Sequence, residues 1–146
     1  MDRIIAVGSD HAAFKMKETV KKYLQSFGYE VKDYGTFSEE PVDYPDIIHP
    51  LAKDVNDGKI KKAVILCGSG IGVSITANKY PYVRCALCCS PELAKLSRQH
   101  NDANILAMSG RFISEKEALQ MVDNFLNTEF ERGRHQKRIE KIPIKS

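Results

Sequence analysis

The segment Cys67-Gly68-Ser69-Gly70-Ile71-Gly72 places a thiol at the start of a glycine-rich loop. Residues 63–66 before it are apolar, which is typical of a buried strand, and residues 73–79 after it are predicted to begin a helix. A strand, a glycine loop and a helix N-terminus together leave backbone N–H groups free to bind an anion. The helix dipole would stabilise a thiolate at Cys67, which could act as a base or a nucleophile. The alternative is a small buried residue that ends a strand.

A second candidate loop, Gly8-Ser9-Asp10-His11-Ala12-Ala13-Phe14, follows the first predicted strand. A carboxylate beside an imidazole at the end of a strand can move protons or bind a polar ligand. The simpler interpretation is that Asp10 only caps the following helix, because Asp is a favoured N-cap residue.

Basic and polar side chains later in the chain suit a phosphate or a sugar. Arg134 and Arg138 are four residues apart, so both would lie on one face of a helix, as a phosphate dianion requires. A solvated charged face is the alternative. Arg111 follows the last predicted strand, and His100-Asn101 ends a helix, where a histidine can also simply interact with the helix dipole.

Other cofactor and metal motifs fit poorly. The glycine loop reads Gly-x-Gly-x-Gly, whereas a dinucleotide fingerprint needs Gly-x-Gly-x-x-Gly and an acidic residue after the next strand, and the Walker A pattern is absent. Cys85 and Cys88 have C-x-x-C spacing, but strand geometry would point them to opposite faces. No second pair completes a zinc site, so we interpret both cysteines as core residues.

The chain of 146 residues suits one domain, at residues 1–146, with strands and helices in alternation. Strands are predicted at residues 3–8, 30–34, 62–66, 83–89 and 104–108, and helices at 12–27, 46–56, 73–79, 90–101, 114–127 and 128–139. Pro50 predicts a kink or a late start in the second helix. This order predicts an α/β fold: a three-layer α/β/α sandwich with a five-stranded parallel sheet, Rossmann-like, plus a C-terminal basic helix. If the first and third strands are neighbours, the two candidate loops meet.

The distribution of charged and apolar residues argues against two classes of protein, nucleic-acid-binding proteins and membrane-spanning proteins. The net charge is +3, and the end of the chain holds most of the excess, in Arg132, Arg134, Lys137, Arg138, Lys141 and Lys145. No aromatic residue alternates with these cations, so nucleic-acid binding is disfavoured. We expect no membrane span, because no apolar run is long enough. The immediate start of a strand leaves no room for a signal peptide, and a cytoplasmic location is expected.

Several segments in order along the chain resemble the family of ribose-5-phosphate isomerase B and galactose-6-phosphate isomerase subunits. The matching segments are Gly8-Ser9-Asp10-His11-Ala12 with Phe14, Asp43-Tyr44-Pro45-Asp46, the loop from Cys67 to Gly72, Ala77-Asn78-Lys79, His100-Asn101-Asp102-Ala103-Asn104, Gly110-Arg111, and Arg134-His135 with Arg138. Two departures stand out. Ala13 occupies a position where many relatives have glycine, and Val73 and Ser74 stand where some relatives have a glutamate base.

The resemblance implies an aldose–ketose isomerase of the pentose phosphate pathway that works through an enediolate, without metal or organic cofactor. By this resemblance Cys67 is the base, Ser69 assists proton movement between the oxygens, and His100 opens the sugar ring with help from Asp10 or Asp43. The implied substrate-binding residues are Asp10, His11, Asp43, Tyr44, Gly68, Ser69, Gly70, Ile71, Gly72, Asn101, Arg111, Arg134 and Arg138. Of these, His11, Arg111, Arg134 and Arg138 would bind the phosphate.

The resemblance also implies a homodimer, which could pair into a tetramer, with residues 128–146 packed on the partner subunit and the active site shared. The expected substrates are ribose 5-phosphate and ribulose 5-phosphate. The alternatives are a galactose or allose 6-phosphate isomerase and, from another class, a non-catalytic sugar-phosphate sensor. A sensor needs only the phosphate contacts, whereas Cys67, Ser69 and His100 are all present.

Overall fold

A five-stranded parallel sheet forms the centre of the molecule. The computed structural model describes residues 3–144, so Lys145 of the predicted basic segment lies outside the described residues. The strands are β1 (Ile4–Ser9), β2 (Glu30–Asp33), β3 (Lys62–Cys67), β4 (Cys85–Leu87) and β5 (Ile105–Ser109). The helices are α1 (Phe14–Ser26), α2 (Tyr44–Asn56), α3 (Ile71–Ala77), α4 (Pro91–Asn101), α5 (Glu115–Asn127) and α6 (Arg134–Ile139), and a 3-10 turn, His11–Ala13, precedes α1.

The strand order β2-β1-β3-β5-β4 makes β1 and β3 neighbours, as the meeting of the two candidate loops requires. Ser9 aligns with Leu66, and Cys67 aligns with Ser109. Three strands therefore end at nearly the same level. In open parallel sheets of this kind, the crevice outside the carboxyl ends of the strands is where ligands bind.

Helices cover both faces of the sheet, so the predicted α/β sandwich is confirmed. Val7, Leu66 and Phe125 belong to the core on one face, and Ala6, Ile65 and Leu51 belong to the core on the other. Burial of both faces explains why β3 is a continuous apolar run rather than an alternating one. The two faces hold the strand ends in place.

Most predicted boundaries agree with the structure to within two residues, and three elements show differences that have a physical reason or correct a prediction. The strand predicted at residues 83–89 is only Cys85–Leu87. The second helix starts at Tyr44, earlier than predicted, and continues through Pro50 to Asn56, so a late start is wrong. The last helix begins at Arg134 rather than at residue 128, because Arg132 and Gly133 have positive φ angles of 64° and 57°, which end helical geometry.

The cysteines divide as the strand geometry predicts. Cys88 is buried in one core and Cys85 packs against the other, so the C-x-x-C pair faces opposite sides of the sheet. Burial raises the pKa of the Cys88 thiol to about 11, and burial also raises the pKa of Cys85. Cys89 is exposed. Within residues 3–144, no helix is long and apolar enough to cross a bilayer.

Candidate active site

An open cavity of about 530 Å³ lies at the carboxyl ends of β1, β3 and β5. Three segments that the sequence singled out form its wall: the loop after β1, the glycine loop after β3, and the turn after β5. Its lining residues are Asp10, His11, Ala12, Tyr44, Cys67, Gly68, Ser69, Ile71, Gly72, Ile75, Arg111 and Phe112. The sheet order thus brings together residues that are up to 102 positions apart in the chain.

Cys67 lies on the wall of this cavity and is only 5% exposed. The Gly70 N–H donates to its Sγ at 3.2 Å. Cys67 is thus sheltered from bulk solvent while it lines the cavity, and a backbone amide of its own loop holds its sulfur in place.

The amides of the glycine loop are only partly engaged. Gly70 donates to Cys67, and Ile71 donates to the Ser69 Oγ at 3.1 Å. Within the described range, no acceptor lies within hydrogen-bonding distance of the amides of Gly68, Ser69 and Gly72. These three N–H groups are available to a ligand oxygen. The predicted role for the amides therefore fits Gly68, Ser69 and Gly72 better than Gly70, which does not line the cavity.

Two glycines of the loop are required by its shape. Gly70 has a φ angle of +82°, and a Cβ there would lie 2.9 Å from the carbonyl carbon of Met108. At Gly72 a Cβ would lie 2.5 Å from the Tyr44 ring. The absence of side chains at both positions lets the loop pack directly on β5 and lets Tyr44 close one side of the cavity.

The loop after β1 supplies a fixed carboxylate and a fixed imidazole. Asp10 accepts from the Ala13 N–H at 3.2 Å, so it caps the 3-10 turn, and it also lines the cavity. Asp10 can therefore cap the turn and also contact a ligand in the cavity, so the two interpretations from the sequence are compatible. The Val42 N–H donates to His11 Nδ1 at 3.1 Å, which in the neutral imidazole leaves the proton on Nε2. His11 can then donate a hydrogen bond to an anion.

A buried ion pair holds the segment between β2 and α2 against this loop. The Lys17 side chain has no exposed area, and its Nζ lies 2.7 Å from both carboxylate oxygens of Asp33. Burial alone would raise the pKa of Asp33, but Lys17, the Gly35 N–H and Lys21 together keep that pKa below its ordinary value. Gly35 also accepts from the Ser9 N–H at 2.8 Å. The pair thus connects α1, β2 and the cavity loop.

The turn after β5 is joined to the glycine loop. The Ser109 hydroxyl donates to the Gly68 carbonyl at 2.6 Å and accepts from the Arg111 and Phe112 amides. A Cβ on Gly68 would lie 3.3 Å from the Arg111 guanidinium, so this cation lies close to the loop backbone. Arg111 therefore adds positive charge next to the free amides. Sequence reasoning gave Ser109 no role, because its hydroxyl acts through two loops that only the fold brings together.

Several predicted site residues lie outside the cavity. Asp43 is exposed and precedes α2 without a side-chain hydrogen bond to the helix. Asn101 lines a different cavity, of about 720 Å³, beside β4 and the end of α4. His100, Arg134 and Arg138 do not line the first cavity either. Within one copy of the chain, the predicted site is divided into two groups of residues.

The second group is centred on His100 at the end of α4. Its ring stacks on His135 with centroids 4.5 Å apart and planes 13° apart. Burial, with His100 and Arg134 nearby, lowers the pKa of His135 and favours its neutral form. His100, Glu131 and His135 each offer an atom that could bind a metal, within 4.8 Å of one another. Ligand atoms in a zinc tetrahedron are about 3.3 Å apart, so these atoms would have to move closer to share an ion.

The two arginines of α6 lie on one exposed face, as their spacing predicts. His135 and Ile139 of the same helix are buried, whereas Arg134 and Arg138 are exposed. In the part of the chain that the structure describes, neither guanidinium forms an ion pair with a carboxylate. Two uncompensated cations at this spacing form a ready contact for a phosphate.

Comparison with known proteins agrees with this architecture. The family model described as Ribose/Galactose Isomerase matches residues 5–142. The chain belongs to this isomerase family. Ribose-5-phosphate isomerase B of Escherichia coli (strain K12) is 42% identical over 138 residues, which cover 94% of this chain and 93% of the relative.

Solved structures of family members superpose closely. A ribose 5-phosphate isomerase of Thermotoga maritima has a TM-score of 0.95 and 48% identity, over 98% of this chain and 99% of that one. Ribose-5-phosphate isomerase B of Mycoplasma genitalium, with bound ribulose-5-phosphate, has a TM-score of 0.91 and 38% identity, over 95% and 93% of the two chains. The Rossmann-like fold is thus that of the isomerase family.

Three cavity residues were not predicted from the sequence: Ala12, Ile75 and Phe112. Ile75 lies one helical turn after Ile71, and the two are 56% and 52% exposed, while Phe112 is 78% exposed. Large apolar side chains at the open mouth of a cavity favour coverage by another protein surface. The four-residue spacing of Ile71 and Ile75 places both on one face of α3. The same spacing is found on buried helix faces, so the sequence alone does not show that this face is exposed.

Proposed function

We propose that this isomerase interconverts ribose 5-phosphate and ribulose 5-phosphate through an enediolate, with Cys67 as the base. The observation that carries the proposal is that Cys67 lines the cavity, together with loop amides that form no hydrogen bond, while its Sγ accepts from the Gly70 N–H at 3.2 Å. The family and the relative with bound ribulose-5-phosphate support this substrate class. A role in the pentose phosphate pathway and a cytoplasmic location remain predictions.

In the proposed chemistry the Cys67 thiolate takes a proton from the carbon next to the carbonyl and returns it to the neighbouring carbon. Charge develops on the carbonyl oxygen as the enediolate forms, and the amides of Gly68, Ser69 and Gly72 can donate to it. One such donor contributes about 3 kcal/mol in comparable sites. Ser69 Oγ, which accepts from Ile71, is placed to assist proton movement between the two oxygens.

Cations far from the reacting carbons would bind the phosphate. His11 and Arg111 belong to the cavity, and Arg134 and Arg138 on α6 form no ion pair with the carboxylates of residues 3–144. Contacts with a remote phosphate orient the substrate and supply binding energy that the reacting carbons cannot. His100 would open the sugar ring, with Asp10 as the better-placed carboxylate, since Asp43 lies outside the cavity.

The division of these groups supports a site shared between two copies of the chain. Ile71, Ile75 and Phe112 expose apolar surface at the mouth of the cavity, as a surface covered by a partner would. In a homodimer, His100, Asn101, Arg134 and Arg138 of one copy would complete the cavity of the other. A tetramer of two such dimers would keep this shared site within each dimer and would need a second interface to join the dimers.

The test is a side-by-side assay on ribose 5-phosphate and on galactose and allose 6-phosphates, with NMR detection of deuterium entering C1 of ribulose 5-phosphate in D₂O. We expect turnover and exchange with the pentose phosphate. Cys67→Ala should lower both by about 10²–10⁴-fold, as expected when a general base is lost.

Cys89→Ala is the matched control, because it removes an exposed thiol outside the cavity, and it should leave both rates unchanged. Turnover of a hexose phosphate alone would contradict the proposed substrate. Sugar-phosphate binding without turnover by the wild-type protein would identify a sensor.

A further inference from the structure

The carboxylate of Glu131 faces both imidazoles of the stacked histidine pair. Its Oε1 lies 3.9 Å from His100 Nε2 and 3.6 Å from His135 Nε2. Glu131 belongs to the segment between α5 and α6, so three separate elements contribute to this cluster. No pattern in the sequence predicts a role for Glu131.

One backbone and one side-chain hydrogen bond hold this segment against the end of α4. The Glu131 N–H donates to the Gln99 carbonyl at 3.0 Å, and Arg98 Nε donates to the Thr128 carbonyl at 3.2 Å. Since Gln99 directly precedes His100, the backbones of Glu131 and His100 are held side by side. The carboxylate therefore starts within 3.9 Å of the imidazole without a direct side-chain hydrogen bond.

Of the two stacked histidines, His100 is the better partner for the Glu131 carboxylate. His135 is 10% exposed at its side chain, and burial together with His100 and Arg134 lowers its pKa. His100 is 41% exposed, so water can solvate its charged form. Arg134 and Arg138 on α6 are the other cations near the cluster, and Glu131 is the acidic member of the group.

We propose that Glu131 is a positioning residue for His100, holding its imidazole and its proton in place for ring opening; this role rests on the proposed function. In ring opening, the bond between C1 and O4 breaks and its electron pair goes to O4. O4 gains a proton from His100, while the anomeric hydroxyl gives its proton to the Asp10 carboxylate and C1 becomes a carbonyl. The Glu131 carboxylate, 3.9 Å from His100 Nε2, orients the imidazole for this transfer.

The test compares two rates measured on ribulose 5-phosphate in D₂O. Deuterium exchange at C1 requires proton transfer by Cys67 but no ring closure. The appearance of cyclic ribose 5-phosphate requires the same proton transfer and, in addition, ring closure, which is the reverse of ring opening. In Glu131→Gln, the bound open-chain aldose closes more slowly and returns to the ketose more often. The ratio of exchange to net conversion should rise about two- to fivefold, the effect of one exposed ion pair.

Three further variants make the result specific. His100→Ala should raise the same ratio by at least as much, and Glu131→Asp should restore part of the wild-type ratio. Glu129→Gln removes an exposed carboxylate from the same segment and should leave the ratio unchanged.

If Glu131→Gln lowered both rates by the same factor, its role would be structural and the proposal would be wrong. An unchanged ratio would also overturn the proposal. The wild-type protein in the same assay tests the proposed function separately, because it must both exchange and convert.

Discussion

The cavity after β1, β3 and β5 and the exposed face of α6 differ in how firmly the molecule holds them. In the cavity, Cys67 has an amide donor, His11 has a fixed tautomer, and Ser109 joins two loops. On α6, Arg134 and Arg138 project from a six-residue helix and form no ion pair within residues 3–144. The atoms that must be placed most accurately for proton transfer thus belong to the cavity, where more hydrogen bonds hold the side chains in place.

This contrast suggests a division of labour. Proton transfer needs the base within hydrogen-bonding distance of the substrate, so its geometry is fixed by strand ends and backbone bonds. Arginine binds a phosphate through charge-assisted hydrogen bonds, and the phosphate is remote from the carbons that react, so small shifts of a long side chain there disturb proton transfer less. A second copy of the chain can therefore supply the arginines without loss of accuracy at the reacting carbons.

The largest expected effect comes from mixing two inactive variants, which tests whether the cavity of one copy uses the arginines of another. We expect Cys67→Ala and the double variant Arg134→Ala/Arg138→Ala each to lose most activity. Co-expressed, they should recover about a quarter of the wild-type activity, since about half of randomly formed dimers are mixed and each has one intact site of two.

The control for mixing combines Cys67→Ala with Asp10→Ala. Both changes lie in the same cavity, so no mixed dimer has an intact site and no activity should return. Recovery in this control, or none in the first mixture, would contradict a site shared between copies.

The rigidity of the cavity side can be tested at the Lys17–Asp33 pair. Asp33→Asn leaves a buried ammonium without its main partner, and we expect a loss of about 3–5 kcal/mol in the free energy of unfolding at pH 7. Glu18, 3.1 Å from Lys17 Nζ, would keep the loss toward the lower value. Urea unfolding measures it.

The effect of pH on this pair has a definite sign. Because the pKa of Asp33 is lowered in the folded protein, its contribution is complete above the ordinary carboxyl pKa of about 3.9 and is lost as the pH falls below it. The difference between wild type and Asp33→Asn should shrink below about pH 3.9. Asp57→Asn, which breaks an exposed pair with Lys53, should change stability much less.

The arginine face can be tested one residue at a time. Arg134→Ala or Arg138→Ala should each lower kcat/KM by about 10- to 100-fold, mainly by raising KM, because each loses a charge-assisted hydrogen bond to the phosphate. Lys137→Ala removes an exposed cation from the same helix and should have little effect. An equal loss with Lys137→Ala would indicate a general effect of charge instead.

The smallest expected effect concerns packing between the first and last cavity loops. A Cβ on Gly110 would lie 2.6 Å from the Ala13 Cβ and 2.9 Å from its Cα. Gly110→Ala should therefore cost about 1–3 kcal/mol of unfolding free energy. Adding Ala13→Gly should restore part of this loss in urea unfolding, and no restoration would argue against this contact.

Much of this architecture follows from local sequence. Buried apolar runs predicted the strands. Ser114 and Glu117 form a capping box at the start of α5, and their three-residue spacing can be read directly from the sequence. The glycine loop, Asp10, His11 and Arg111 could be predicted to meet because parallel strands end at one edge of the sheet.

The rest depends on contacts between distant segments. The late start of α6 reflects positive φ angles at Arg132 and Gly133, and a non-glycine residue rarely signals such an angle in advance. The exclusion of Asp43 depends on how α2 begins, and the place of Glu131 depends on the Gln99 carbonyl. No local sequence pattern predicts the position of Asp43 outside the cavity or the position of Glu131 beside His100.

The unequal burial of the thiols has a practical consequence for chemical labelling. Cys89 is exposed, whereas Cys67 is 5% exposed and shielded by its own loop. A bulky maleimide dye should therefore attach to Cys89 first and leave turnover intact. Cys89 thus offers a reporter position for following subunit exchange by fluorescence.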